Sequence, residues 1–146
     1  MQAKRNHRQQ ATAKTQLRTT ITPTRTAMNK NADYDARAQL YGFIRPSQLK
    51  DLLEQKQSTM LLDVRTDQEI EESGRFECGD HAWVHQPCTL NDTKELEDKS
   101  AEFFPNKQTP IVVYCKSGRR ASKAKEALEL RGYSQVYNAG GYGDLI

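Results

Sequence analysis

Ile111-Val112-Val113-Tyr114-Cys115-Lys116-Ser117-Gly118-Arg119-Arg120 reads in two halves. The first half is four uncharged, strand-favouring residues that follow the turn Gln108-Thr109-Pro110 and end on a thiol. Such a run, apolar on both faces, belongs to a strand covered on both sides. The second half is small and basic. Ser117 and Gly118 permit a tight turn, and a helical pattern resumes at Ala121. It continues through Ala124, Ala127, Leu128 and Leu130 to Gly132, which suits the residue after a helix C-terminus. Strand, short loop and helix together form the repeating unit of a parallel α/β sheet.

The same alternation extends outward. Upstream, Gly42-Phe43-Ile44 reads as a short strand, and Pro46 opens a helix whose Leu49, Leu52 and Leu53 share one face. Met60-Leu61-Leu62-Asp63-Val64 reads as a buried strand, and Thr66-Asp67-Gln68-Glu69 is a capping box for the next helix. The span 74–90 has no clean period and holds one strand around Ala82–His85. Asp92 is placed to cap a helix through Leu96 to about Phe103, which Pro105 stops. Downstream, Val136-Tyr137 is a last strand, closed by Gly140-Gly141. The expectation is an α/β domain over 33–146, with a mostly parallel sheet of about five strands and helices on both faces. In such sheets the functional site lies beyond the C-terminal ends of the strands, which is where Cys115 falls.

The remainder of the chain has a different composition. The 146 residues suffice for one domain, yet a mean hydropathy of -0.88 with 28% charged residues predicts that part of the chain does not fold. The net charge of +3 hides a split. Residues 1–30 carry seven bases, seven threonines and no acid, whereas 31–146 carry the other 15 bases and all 19 acids. The basicity belongs to the tail, so nucleic-acid binding by the whole protein does not follow from it. Residues 1–32 are therefore expected to be a disordered basic extension. An acid-free, hydroxyl-rich tail also suits an organellar transit peptide, which leaves the expected compartment as the cytoplasm, or a mitochondrion or plastid. No apolar run approaches the roughly 18–20 residues of a membrane span. Three cysteines are too few, and odd in number, for a disulfide framework, which favours a reducing compartment.

The loop after Cys115 has the chemistry of an anion site. A tight turn through Ser117 and Gly118 lets successive N–H groups point inward, and the following helix N-terminus adds its partial positive charge. Lys116, Arg119 and Arg120 bring three cations. Each effect favours thiolate over thiol. Two unit charges at 4 Å in an effective dielectric of 20 interact by about 4 kcal/mol, the scale of help a thiolate needs to attack a dianion. A buried cysteine that merely ends a strand beside a basic helix would explain the thiol, but not the glycine loop and three cations at the same strand end.

Val113 to Ser122 resembles the active-site loop of single-domain rhodaneses, the thiosulfate sulfurtransferases. Leu61-Leu62-Asp63-Val64-Arg65 upstream, and Gly132-Tyr133 with Asn138-Ala139-Gly140-Gly141-Tyr142 downstream, resemble the flanks of that loop. The resemblance spans about residues 43–144 and implies a three-layer α/β/α fold. It implies that Cys115 is the nucleophile, taking sulfane sulfur from thiosulfate or a similar donor as a persulfide and passing it to a thiol or cyanide. Lys116, Ser117, Gly118, Arg119 and Arg120 would bind the substrate anion, with the two arginine side chains at the rim. Asp63 and Arg65 match the family's structural Asp-x-Arg. Neither metal nor organic cofactor is implied. The implied partners are a small anionic sulfur donor and a thiol acceptor such as thioredoxin or glutathione, with no nucleic acid or membrane, for a monomer. The alternative is a non-turnover sulfur-relay carrier or regulatory module of the same fold. Phosphatases and arsenate reductases of this fold have an arginine six positions after the cysteine, where this chain has Ala121.

One stretch departs from the family. Where relatives carry a Gly-His-Ile-Pro-Gly-Ala-like segment, this chain reads Ser73-Gly74-Arg75-Phe76-Glu77-Cys78-Gly79-Asp80-His81-Ala82-Trp83. Cys78, His81, His85 and Cys88 in and after it have the spacing C-x2-H-x3-H-x2-C, which zinc could use. With Trp83 and Val84 expected to pack inward, small buried fillers are the plainer reading of the two cysteines. Either could also resolve a modified Cys115.

Overall fold

The computed structural model describes residues 25–55, 58–77 and 79–145. By its contacts the chain divides into Met1–Tyr34 and Asp35–Ile146. Of the expected tail, residues 1–24 lie outside the described residues, and 25–32 are helical.

The elements run α1 (Arg25–Tyr41), α2 (Pro46–Gln55), β1 (Met60–Asp63), α3 (Asp67–Ser73), β2 (Ala82–His85), α4 (Lys94–Phe103), β3 (Ile111–Cys115), α5 (Arg119–Leu130), β4 (Val136–Gly141) and α6 (Tyr142–Leu145). The four strands form one parallel sheet in the order β2-β1-β3-β4. The short strand expected at Gly42–Ile44 is reduced to a single parallel bridge, Phe43 to Asn138, at the β4 edge. The helix α1 carries no apolar period in the sequence that would have marked it.

β3 shows why its residues are strand-forming and apolar: all five are buried, and alternate side chains enter different layers. Ile111, Val113 and Cys115 join Leu62, Val64, Leu96, Ala121, Ala124 and Leu128 on the α4/α5 side. Val112 and Tyr114 join Leu49, Leu61 and Ala139 on the α2 side, where Phe76 and Trp83 also pack. Burying each of the valine, leucine and isoleucine side chains among these contributes roughly 1.5–3 kcal/mol. The fold is thus a helix–sheet–helix sandwich centred on the strand that ends in Cys115.

Local signals meet their expectations at α3. Thr66 Oγ1 accepts the Glu69 N–H at 3.1 Å, and the Glu69 carboxylate accepts the Thr66 N–H at 2.8 Å. At α4 the pattern is offset by one residue. Thr93 occupies the N-cap without a side-chain cap, while Asp92 Oδ1 accepts the Lys94 N–H at 3.1 Å. At the C-terminus, Gly140 and Gly141 do not close β4 but belong to it. The β3–β4 register shifts between Val113 and Cys115, so that Cys115 faces Gly141. A Cβ on Gly141 would collide with the Lys116 carbonyl, so only glycine lets this strand run beside the loop.

Candidate active site

Cys115 is buried at the end of β3, and the chain turns sharply into α5. The turn requires Gly118 twice over. Its φ of +93° lies in the left-handed region, and a Cβ there would overlap the Phe43 ring. This geometry aims backbone N–H groups at the sulfur. Gly118 N–H donates to Cys115 Sγ at 2.9 Å, and Ala121 N–H at 3.4 Å. The Ala121 donor is one of the first-turn N–H groups that α5 leaves without an intrahelical acceptor, so the sulfur sits where the helix offers partial positive charge.

The three basic side chains of the loop diverge. Lys116 is exposed and lines a cleft of about 250 Å³ together with Arg65, Glu69, Glu72, Ser73, Tyr142 and Gly143. Arg119 is exposed and lines a different cleft, with Leu90, Asn91, Ser122 and Glu126. Arg120 is committed to an ion pair, its Nη1 and Nη2 each donating to a Glu69 carboxylate oxygen at 2.9 Å. The Arg120 hydrogen bonds hold the Glu69 carboxyl down at about 2, against the opposing effect of burial. The same hydrogen bonds, with Cys115 adding to them, raise the Arg120 guanidinium. One glutamate therefore caps α3 and neutralises the arginine expected at the rim.

Asp63 and Arg65 form a buried ion pair at the end of β1, with Nη2 to Oδ2 at 2.7 Å. Burial opposes the Arg65 charge, but the hydrogen bonds and charge of Asp63 outweigh it and raise the guanidinium. Arg65 also donates to the Gly74 carbonyl at 2.7 Å and lies over the Tyr142 ring at 4.4 Å. It thereby ties β1, the end of α3 and α6 around the cleft.

A further set of residues braces the loop from the β4 side, and of these the sequence marks only Asn138, as part of a flank. Asn138 Nδ2 donates to the Gly118 carbonyl at 2.9 Å while its Oδ1 accepts the Gly140 N–H at 2.9 Å. Arg37 Nη1 donates to the Ser117 carbonyl at 2.9 Å, and the guanidinium pairs with both Asp144 carboxylate oxygens at 3.0 and 3.1 Å. Asp144 Oδ2 also accepts the Gly141 N–H at 2.8 Å. Asn138 stands in a quoted flank and could have been read as a turn-bracing amide. Arg37 is 80 residues from its acceptor, a distance no local pattern bridges.

The spaced Cys and His residues are dispersed. Cys78 lies outside the described residues. His81 faces the Leu53 and Thr59 carbonyls at 2.6 and 3.1 Å, on the α2 side. His85 Nε2 donates to the Arg65 carbonyl at 2.7 Å, and Cys88 is buried with the α4/α5 core. Among the described residues no three metal-capable side chains gather. Burial, with Asp92 nearby, pushes the Cys88 thiol up to about 12, which makes it a poor nucleophile. Within the departing stretch, Arg75 lies over the Trp83 ring at 4.8 Å, and Trp83 Nε1 and the Phe76 N–H both donate to the Tyr114 hydroxyl. A larger hollow of about 820 Å³ lies between α2 and Phe76, Glu77, Gly79, Asp80 and His81, and includes no residue of the Cys115 loop.

A parallel α/β sheet whose central strand delivers a buried cysteine into a short loop that opens a helix defines a class of domain. This chain belongs to the rhodanese-like domain family, which it matches over residues 45–144. It is 42% identical over 52 residues to the thiosulfate sulfurtransferase PspE of Escherichia coli, covering 36% of this chain and 50% of that protein. It is 31% identical over 116 residues to the tRNA uridine(34) hydroxylase of Protochlamydia amoebophila, covering 79% of this chain and 34% of that one. The chain thus spans half or less of the length of these curated relatives. In fold it is similar to the polysulfide-sulfur transferase homodimer of Wolinella succinogenes, with a TM-score of 0.57, 24% identity and coverage of 81% of this chain and 82% of that one.

Proposed function

We propose that the protein is a sulfurtransferase in which Cys115 carries the transferred sulfur. The observation that carries this reading is the pair of backbone N–H donors on Cys115 Sγ at the mouth of α5. They stabilise negative charge on the sulfur without a side-chain base. With thiosulfate, the Cys115 thiolate attacks the outer sulfur. The new S–S bond forms as the bond to the sulfonate sulfur breaks, and sulfite leaves with the electron pair. The terminal sulfur of the resulting persulfide keeps the negative charge, which the loop N–H groups and the α5 terminus are placed to hold. An acceptor thiolate or cyanide then attacks that terminal sulfur and returns the Cys115 thiolate. Lys116 is the loop side chain that lines the cleft beside the Asp63–Arg65 pair, so it would draw in a small anionic donor. A thiol such as glutathione or a thioredoxin would accept the sulfur there. The activity that names the Escherichia coli relative supports thiosulfate as donor.

The test is steady-state thiocyanate formation from thiosulfate and cyanide, together with the intact mass after thiosulfate alone. The expected result is one added sulfur, discharged by cyanide, with many turnovers. Cys115→Ser should abolish both, because a serine hydroxyl is not ionised near neutral pH and holds no persulfide. Cys88→Ser should keep most of the activity. Thiocyanate formation by Cys115→Ser would overturn the reading, and a single sulfur loaded without turnover would identify a carrier instead.

A further inference from the structure

Arg37 precedes the segment that matches the family, yet it reaches the loop. The carbonyl it binds, Ser117 C=O, and the N–H that binds the sulfur, Gly118 N–H, belong to the same peptide unit. In a planar trans peptide these two groups point in opposite directions. The guanidinium therefore sits at one end of the peptide dipole and Cys115 Sγ at the other. A cation on the carbonyl oxygen draws electron density through the amide and strengthens the N–H as a donor. The side chains of Arg37 and Asp144 are only 22% and 17% exposed, so solvent screens their charges weakly.

We propose that Arg37 is a positioning residue that acts through the Ser117–Gly118 peptide to favour the anionic form of the Cys115 sulfur, with Asp144 moderating its charge. The inference rests on the reading of Cys115 as the reacting thiol. The other charges around the loop are the Glu69–Arg120 pair, the Asp63–Arg65 pair and the exposed Lys116 and Arg119, and the titratable Cys88 thiol shares the core cluster of Cys115. Among the described hydrogen bonds, none joins them to this peptide.

The experiment is the rate of iodoacetamide alkylation against pH for the full chain, in wild type, Arg37→Gln, Arg37→Lys and Asp144→Asn, each with a melting curve. Arg37→Gln should move the profile to higher pH and slow alkylation about fivefold to tenfold at neutral pH. Arg37→Lys, which keeps the charge, should stay near wild type. Asp144→Asn leaves the cation unopposed and should move the profile to lower pH. Arg37→Gln and Asp144→Asn break the same ion pair, so a purely mechanical brace would shift both in one direction. Coincidence of Arg37→Gln with wild type, or shifts of the two in the same direction, overturns the inference. If Arg37→Gln melts too low to assay, Asp144→Asn decides alone, and a shift to higher pH or none overturns it. Alkylation needs no sulfur donor. Failure of wild type to form thiocyanate would count against the sulfurtransferase reading and leave this comparison intact.

Discussion

At the scale of single residues, Glu69 does the most varied work. Its carboxylate closes the α3 capping box and binds Arg120 through both oxygens. Holding it at about 2 instead of 4.5 means that the folded state prefers its charged form. The stability this contributes is fully present above the ordinary value and is lost as pH falls toward about 2. At 1.36 kcal/mol for each tenfold change in proton affinity, the upper bound is about 3 kcal/mol. Glu69→Gln keeps an amide oxygen for the Thr66 N–H but surrenders the charge. Urea midpoints at about pH 6 and about pH 3 should then differ less in the variant than in wild type. In the same variant Arg120 loses its counter-charge near Cys115. The expected result is a rise of about twofold to fivefold in kcat/KM for thiosulfate, with a steeper fall as salt is added. Lower stability with higher kcat/KM is a combination that mere structural damage does not produce. A fall in both would show that the glutamate serves the loop by holding Arg120 still.

At the scale of elements, the sequence was most legible where periodicity and capping chemistry coincide. The apolar run of β3, the Thr66–Glu69 box and the Ala/Leu face of α5 each state their element within a few residues, and each is found there. What sequence could not state is what the elements do to each other. Gly140-Gly141 reads as a turn because glycine is usually a turn residue, whereas here it extends β4 past the loop in the one way that leaves room for the Lys116 carbonyl. Arg119 and Arg120 read alike beside Cys115, but the helix points one to a separate cleft and the other to Glu69. Glu69 lies 51 residues from Arg120 in the chain. The glycine argument predicts a contrast within three residues. Gly141→Ala should destabilise by about 1–3 kcal/mol and depress turnover, because the methyl group must push the loop away from the sulfur it serves. Gly143→Ala, where a Cβ meets nothing within 4 Å, should leave stability nearly unchanged. Melting curves of the two variants and a thiocyanate assay of Gly141→Ala check this, and equal losses of stability would refute the packing argument.

At the scale of the whole molecule, the question is where the working unit begins. The buried apolar core runs from Leu49 to Ala139, and the family match begins at residue 45, so a chain starting there would retain the core. The active-site loop, however, draws on residues before that point. Arg37 holds the Ser117 carbonyl, and the Tyr41 carbonyl accepts from Asn138 Nδ2 at 3.3 Å. Ile44 N–H donates to the Asn138 carbonyl at 2.9 Å, and the Phe43 ring fills the space that glycine leaves at 118 and 140. All of these lie within Asp35–Ile146. A chain that starts at Asp35 should therefore melt within a few degrees of the full chain and turn over thiosulfate within about twofold. A chain that starts at Arg45 should still fold around the sheet. It should melt lower by roughly 5–10 °C and lose at least tenfold in kcat/KM, since Gly118 and its neighbours lose both their packing partner and their hydrogen-bond donors. Thermal melts and thiocyanate rates for the three lengths decide the matter. Full activity in the chain starting at Arg45 would show that β4 alone holds the loop in place, and a large loss in the chain starting at Asp35 would move the boundary of the working unit into the preceding residues.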